Sequence, residues 1–161
     1  MNYLTITAFI GLFGTATTDL WALLRKRLFA VPPPDFGMVG RWIGHFAHRR
    51  FRHERIAAAA PVAGERLIGW TAHYLIGVSF AAILPAAWGV RWLEHPALLP
   101  ALVVGIATVA APFLLMQPGM GAGFAARRTP RPAAARFHSI VTHTVFGLGL
   151  YAGALLTRRF V

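Results

Sequence analysis

Cysteine is absent from this chain and carboxylates are scarce: 161 residues include no Cys and only Asp19, Asp35, Glu54, Glu65 and Glu94 as acids. Without thiols there are no disulfides, no thiolate metal sites and no cysteine nucleophile, so a metal would fall to His, carboxylate or Met. Lysine is reduced to Lys26, the other 15 of the 16 basic residues being arginine. GC-rich coding produces that bias as readily as function does, so the net charge of +11 does not by itself name a partner. Also missing are a Gly-rich phosphate loop, an H-E-x-x-H pair and a G-x-S-x-G elbow. No catalytic signature argues for an enzyme.

What remains is apolar. With 57% hydrophobic residues, 13% charged and a mean hydropathy of +0.56, the chain is too poor in charge for a soluble domain of its length. Four stretches approach the ~20 residues that cross ~30 Å of hydrocarbon: Leu4 to Leu24, Leu67 to Val90, Ala97 to Met116 and Phe137 to Leu156. The first is not read as a secretory signal, because its basic cluster, Arg25, Lys26 and Arg27, follows the apolar run instead of preceding it. The fold expected is all-α: a single membrane domain over residues 1–161, a polytopic four-helix bundle.

Basic residues set its orientation. The connection from Arg25 to Arg66 carries nine and that from Gln117 to Arg136 carries four, leaving Arg91, Arg158 and Arg159. Thirteen of sixteen on one side place those two connections in the cytoplasm and both termini in the periplasm or exterior. Within the first connection, residues 30–64, three prolines stop the preceding helix. Val39, Trp42, Ile43 and Phe46 then recur at helical spacing. An amphipathic interfacial helix is predicted, with Arg41, Arg49, Arg50 and Arg52 among anionic lipid headgroups. Aromatics interleaved with arginines also suit nucleic acid, but beside two membrane spans the lipid reading is preferred and no nucleic-acid partner is expected.

Inside the spans, ionisable side chains draw attention because they are costly there and face partners, cavities or pathways. Asp19 precedes Arg25 by six residues, His73 follows Arg66 by seven and His143 follows Arg136 by seven. At ~1.5 Å per residue all three lie roughly 10 Å inside the cytoplasmic edge. Glu65 stands at the mouth of the second span, and Gln117 ends the third. Thr15 and Thr18 adjoin Asp19 in a stripe of small residues, and Ser139 and Thr142 neighbour His143, with His138 about 140° away around the helix.

The stretches "TTDLWALLRKRLF", "GRWIGHFAH", "APVAGERLIGWTAHYLIGVSFA", "PFLLMQPGMGAGFAARRTPRP" and "HTVFGLGLY" together resemble a family of uncharacterised bacterial inner-membrane proteins, domain of unknown function 2938. The resemblance covers nearly the whole chain and implies a small multi-pass protein of the bacterial inner membrane. It supplies no activity. Its motif residues coincide with the polar set Asp19, Glu65, His73, Gln117 and His143.

Three functions follow from these residues. One is a transport-type or sensing protein whose Asp19, His73 and His143 take a proton, a divalent metal ion or a small polar solute. Another is a redox subunit holding haem b between His73 and His143. The third is an assembly or accessory subunit, in which the polar layer is structural and the Gly149 to Gly153 face docks a second copy or a partner membrane subunit.

Overall fold

The computed structural model describes residues 2–160, and every regular element among them is helical. Four helices are long and apolar enough to cross a membrane: Tyr3–Phe29, Glu65–Trp88, Leu98–Met120 and Pro132–Phe160. The protein is a multi-pass membrane protein of all-α fold, with shorter helices between these four. Asn2 caps the first long helix by accepting from the Thr5 N–H, and Ala30 ends it in the left-handed region at φ 53°. The prolines at 32–34 then prevent its resumption. The fourth begins at Pro132, five residues before the predicted span, because a proline's missing N–H costs nothing in a first turn.

The chain divides into two compact units. The first takes in the residues up to Pro33, Tyr74–Thr108 and the residues from Ile140 onward; the second is Pro34–His73 with Val109–Ser139.

In the first unit a core of Ile6, Ile10, Leu84, Leu93, Phe146 and Leu150 is sealed from solvent, while Leu20, Leu75, Leu99 and Leu156 face outward as lipid-facing side chains do. Glycines set the helix spacing. A Cβ on Gly11 would stand 2.5 Å from the Val78 Cα, and one on Gly105 2.6 Å from the Gly147 Cα. Such backbone-to-backbone approach is how membrane helices gain packing where lipid removes the hydrophobic drive between them. Gly149 and Gly153 belong to the same pattern, lying against Gly14 and Thr17 and against Ile10 and Phe13. The face expected to dock a partner packs within the chain.

In the second unit the predicted amphipathic helix is present as Phe36–Gly44, capped by Asp35 through the Gly37 N–H. It is shorter than the periodicity suggests. Residues His45–His48 tighten into a 3-10 turn and Arg49 closes it at φ 56°, donating to the His45 and Phe46 carbonyls. The Trp42 Nε1–H then holds the returning chain at the Phe51 carbonyl, 2.9 Å away. Gly40 and Gly69 have no room for side chains, since a Cβ on either would collide with the carbonyl of Glu65 or of Phe36. Further along, residues Pro112–Met116 form a π-helical turn in which the Gln117 N–H reaches back to the Pro112 carbonyl.

Candidate functional site

In the first unit the close crossing at Gly11 and Thr15 with Gly77 and Val78 puts Tyr74, one turn before Gly77, beside Asp19, one turn beyond Thr15. The Tyr74 hydroxyl donates to Asp19 Oδ2 at 2.8 Å. Thr15 and Thr18 contribute nothing to that carboxylate through their hydroxyl protons. Those protons go to the Gly11 and Thr15 carbonyls, at 2.8 and 2.7 Å.

The Gly105 and Gly147 contact similarly positions His143. Its Nδ1 lies 3.2 Å from the Gly105 carbonyl and 3.1 Å from Thr108 Oγ1. A carbonyl only accepts, so in the neutral ring Nδ1 carries the proton and Nε2 the lone pair. Thr142 is half-buried on the same helix.

The second unit holds the other predicted residues in separate surroundings. The His73 ring stacks on Phe36 with centroids 4.0 Å apart and meets Trp70 edge-on at 5.8 Å. Glu65 is engaged by Arg41 through two parallel bonds, Nε to Oε2 and a terminal guanidinium nitrogen to Oε1, each 2.8 Å. Its Oε2 also takes the Val62 N–H at 3.1 Å. The Gln117 side-chain oxygen is buried without a hydrogen-bond partner, while the Gln117 backbone carbonyl accepts from the Ala122 N–H. His138 is half-buried beside Phe137, as is Ser139.

Arg41 is placed differently from a headgroup ligand. It is buried, and beyond Glu65 it donates to the Ala59 carbonyl at 3.2 Å, so the chain from 57 to 65 is gathered around one guanidinium. Arg49, Arg50 and Arg52 are exposed.

A second buried polar chain has no precedent in the spacing of the sequence. His45 Nε2 lies 3.0 Å from the Ala60 carbonyl, and His45 Nδ1 lies 2.7 Å from His53 Nε2. With both rings neutral, the Ala60 oxygen fixes the tautomers. His45 Nε2–H donates to it, His53 Nε2–H donates to His45 Nδ1, and His53 Nδ1 is left as a lone pair that no described group satisfies. Burial, with Arg50 and His45 nearby, holds His53 below the usual histidine range.

No group of three or more His, Asp or Glu side chains suited to a metal ion occurs among the described residues. Tyr74, Thr108, His45 and His53 are functional candidates that the periodicity argument passes over. Tyr74 is within its reach, lying three residues before a glycine on the small-residue face of the second span.

The model of a family described as protein of unknown function (DUF2938) matches residues 8–157 of this chain. No curated protein matches it, and neither does any solved structure.

Proposed function

The chain belongs to the DUF2938 family, and from that footing we propose that it is a transport-type or sensing protein whose Asp19 takes up and releases a proton within the membrane. The observation that carries this reading is the 2.8 Å bond from Tyr74 to Asp19. An aspartate in a spanning helix costs ~2.5–3.5 kcal/mol on insertion scales and marks a partner or a pathway. A phenol suits a titrating partner because its oxygen both donates and accepts. When Asp19 is ionised the phenol donates to it; when Asp19 is protonated the carboxyl O–H donates to the phenol oxygen. Neither state leaves a polar group orphaned.

The setting proposed is the bacterial cytoplasmic membrane with both termini outside, supported by thirteen of sixteen basic residues lying in two of the connections. The exposed Arg49 and Arg50 then face anionic headgroups.

Infrared difference spectroscopy on the reconstituted protein tests the proton site directly. On lowering the pH, wild type gains a protonated-carboxyl C=O band that Asp19→Asn lacks, and Tyr74→Phe shifts the frequency of that band. A band of equal size in Asp19→Asn sinks the proposal. Proton entry into vesicles under an imposed potassium diffusion potential then separates transport from sensing: flux lost in Asp19→Asn means transport, and a titrating Asp19 without flux means sensing.

A further inference from the structure

The first long helix, Tyr3–Phe29, buries one stripe of side chains, and the stripe ends on a charge. From Gly11 onward its buried residues are Gly11, Gly14, Thr15, Thr18 and Arg25. Arg25 follows Thr18 by seven residues, two turns, and so continues the same face. It is 7% exposed, whereas its neighbours Lys26 and Arg27 are exposed. A side chain of this length near a helix end ordinarily carries its charge out to water; here the helical phase turns it inward. Beyond it Ala30, at φ 53°, ends the helix, and the returning chain brings the Pro32 carbonyl to 3.4 Å from Arg25 Nη2.

That long bond is the only one the Arg25 guanidinium makes among the described residues. Nε is sealed from solvent without an acceptor, as is Nε1 of Trp21 one turn earlier on the helix. Nη1 has no acceptor either, yet it is not sealed. No carboxylate answers the charge. Arg25 forms no ion pair among the described residues, and Asp19, six residues back and about 120° around the helix, takes the Tyr74 hydroxyl. The other buried arginine shows what is missing: Arg41 has the Glu65 carboxylate on two of its nitrogens at 2.8 Å and the Ala59 carbonyl on the third. A buried cation without its counter-charge is strongly unfavourable, and an arginine in a spanning helix marks a partner or a pathway. Nη1 is where a partner from outside the chain reaches it.

We infer that Arg25 binds the phosphodiester of an anionic membrane lipid, with Nη1 donating to a phosphate oxygen. Three observations favour this occupant over a soluble anion. Arg25 lies four residues before the end of the helix, about 6 Å at the helical rise, which is headgroup depth for a span that ends at Phe29. Along the same turns Leu20, Leu24 and Leu28, four residues apart, are exposed, a row against which an acyl chain lies. The site also lacks one negative charge, which a phosphatidylglycerol head supplies and a zwitterionic head, carrying its own cation, does not. The sealed Nε and the Trp21 N–H take no part in the contact; they show that the protein supplies no acceptor of its own around this charge. The proposal is independent of the Asp19 reading and survives its failure.

Thermal unfolding of the delipidated protein in a nonionic detergent tests it, with phosphatidylglycerol or phosphatidylcholine of the same acyl chains added to the micelle. Phosphatidylglycerol is expected to raise the melting temperature of wild type well beyond the effect of phosphatidylcholine. In Arg25→Gln the phosphatidylglycerol concentration needed for the same rise should increase about tenfold. Arg25→Lys, which keeps the charge, should recover part of the response and carries the comparison if Arg25→Gln folds poorly. Lys26→Gln, Arg27→Gln, which removes two charges from exposed neighbours, should keep the wild-type response. Without lipid, Arg25→Gln should melt at or above the wild-type temperature, because it removes a buried charge that the protein leaves uncompensated. Equal responses of wild type to the two lipids, or an undiminished response in Arg25→Gln, overturns the proposal. So does an Arg25→Gln protein that melts lower by the same amount with and without lipid, since the arginine would then serve only to hold the Pro32 carbonyl. Inorganic phosphate that stabilises wild type at lower concentration than phosphatidylglycerol, and through Arg25, would assign the residue to a soluble anion and overturn the lipid.

Discussion

In the first unit Thr15, Thr18 and Thr157 turn their hydroxyls back onto carbonyls of their own helices, and the contacts between helices are left to apolar side chains and glycines. In the second unit Arg41 reaches 24 residues along the chain to Glu65, and two histidines and a carbonyl form a buried relay. The contrast follows from what each solvent permits. A span surrounded by lipid gains from close backbone approach and loses by leaving polar groups unsatisfied. A connection between spans has few apolar residues to bury, and it organises its loops by giving one guanidinium several acceptors. Asp19 with Tyr74 and His143 with Gly105 and Thr108 are exceptions in the first unit, and the first of them is where function is proposed.

The severest way to break this comparison is to fill the glycine contacts, because both units depend on them. Gly105→Leu must separate a pair of spanning helices whose backbones touch, and Gly40→Leu must lift the short helix from the second long one, carrying Arg41 away from Glu65. Overpacking of this kind costs on the order of 3 kcal/mol or more when only backbone is available to give way. Each variant should show a lower melting temperature and poorer recovery of folded protein. A Gly40→Leu protein that melts like wild type would mean that the second unit does not rest on that contact.

A smaller effect sharpens the contrast. In Arg41→Gln the two parallel bonds to Glu65 and the bond to the Ala59 carbonyl are lost together. The segment from Arg49 to Arg55 should loosen, and trypsin should cleave there about tenfold faster in protein reconstituted with that side accessible. Glu65→Gln should behave similarly, since the guanidinium loses its bidentate anion. Unchanged cleavage in both variants would show that the network is incidental to the order of this segment.

The membrane class, the four spans and the short amphipathic helix are legible because each follows from a run or a period in the sequence. The apolar run Leu67 to Val90, for example, is found within two residues of its expected ends as Glu65–Trp88. The role of Arg41 is not legible, because amphipathic periodicity says which face a side chain lies on and nothing about an acceptor 24 residues away. The same limit hides the His45 and His53 pair, which depends on the turn at Arg49, where a left-handed residue ends the helix that the pattern continues. Asp19 stands out as an anomaly of composition, but its partner Tyr74 is an ordinary residue of a span until the contact between Gly11 and Val78 sets the pairing of the two helices. The stretch "MQPGMGAGFAARR" is conspicuous for its glycines, and its φ values show why: Gly121, Gly123, Ala125 and Ala126 all lie at positive φ, and a turn of that shape cannot be read from helical or strand periods.

The gentlest perturbation that distinguishes the two regions is pH, acting through His53. Burial, then the charges of Arg50 and His45, lowers its proton affinity in the folded protein, whereas the unfolded chain takes the proton near ~6.5. Below that value and above the folded one, the unfolded state binds more protons than the folded state, so stability falls as pH falls. Above about 6.5 both states are neutral at this site and the dependence vanishes. Hydrogen exchange at acid and neutral pH, corrected for the intrinsic exchange rate, should therefore show loosening of the amides around residues 45–60 and none in the core of Ile10 and Leu150. His53→Asn should abolish the pH dependence while leaving the Arg41 and Glu65 contact in place. Equal protection of residues 45–60 at both pH values in wild type would mean that folding leaves the proton affinity of His53 unchanged, and greater protection at acid pH would mean that His53 is protonated in the fold; either result would end the reading of His53 as a buried neutral ring.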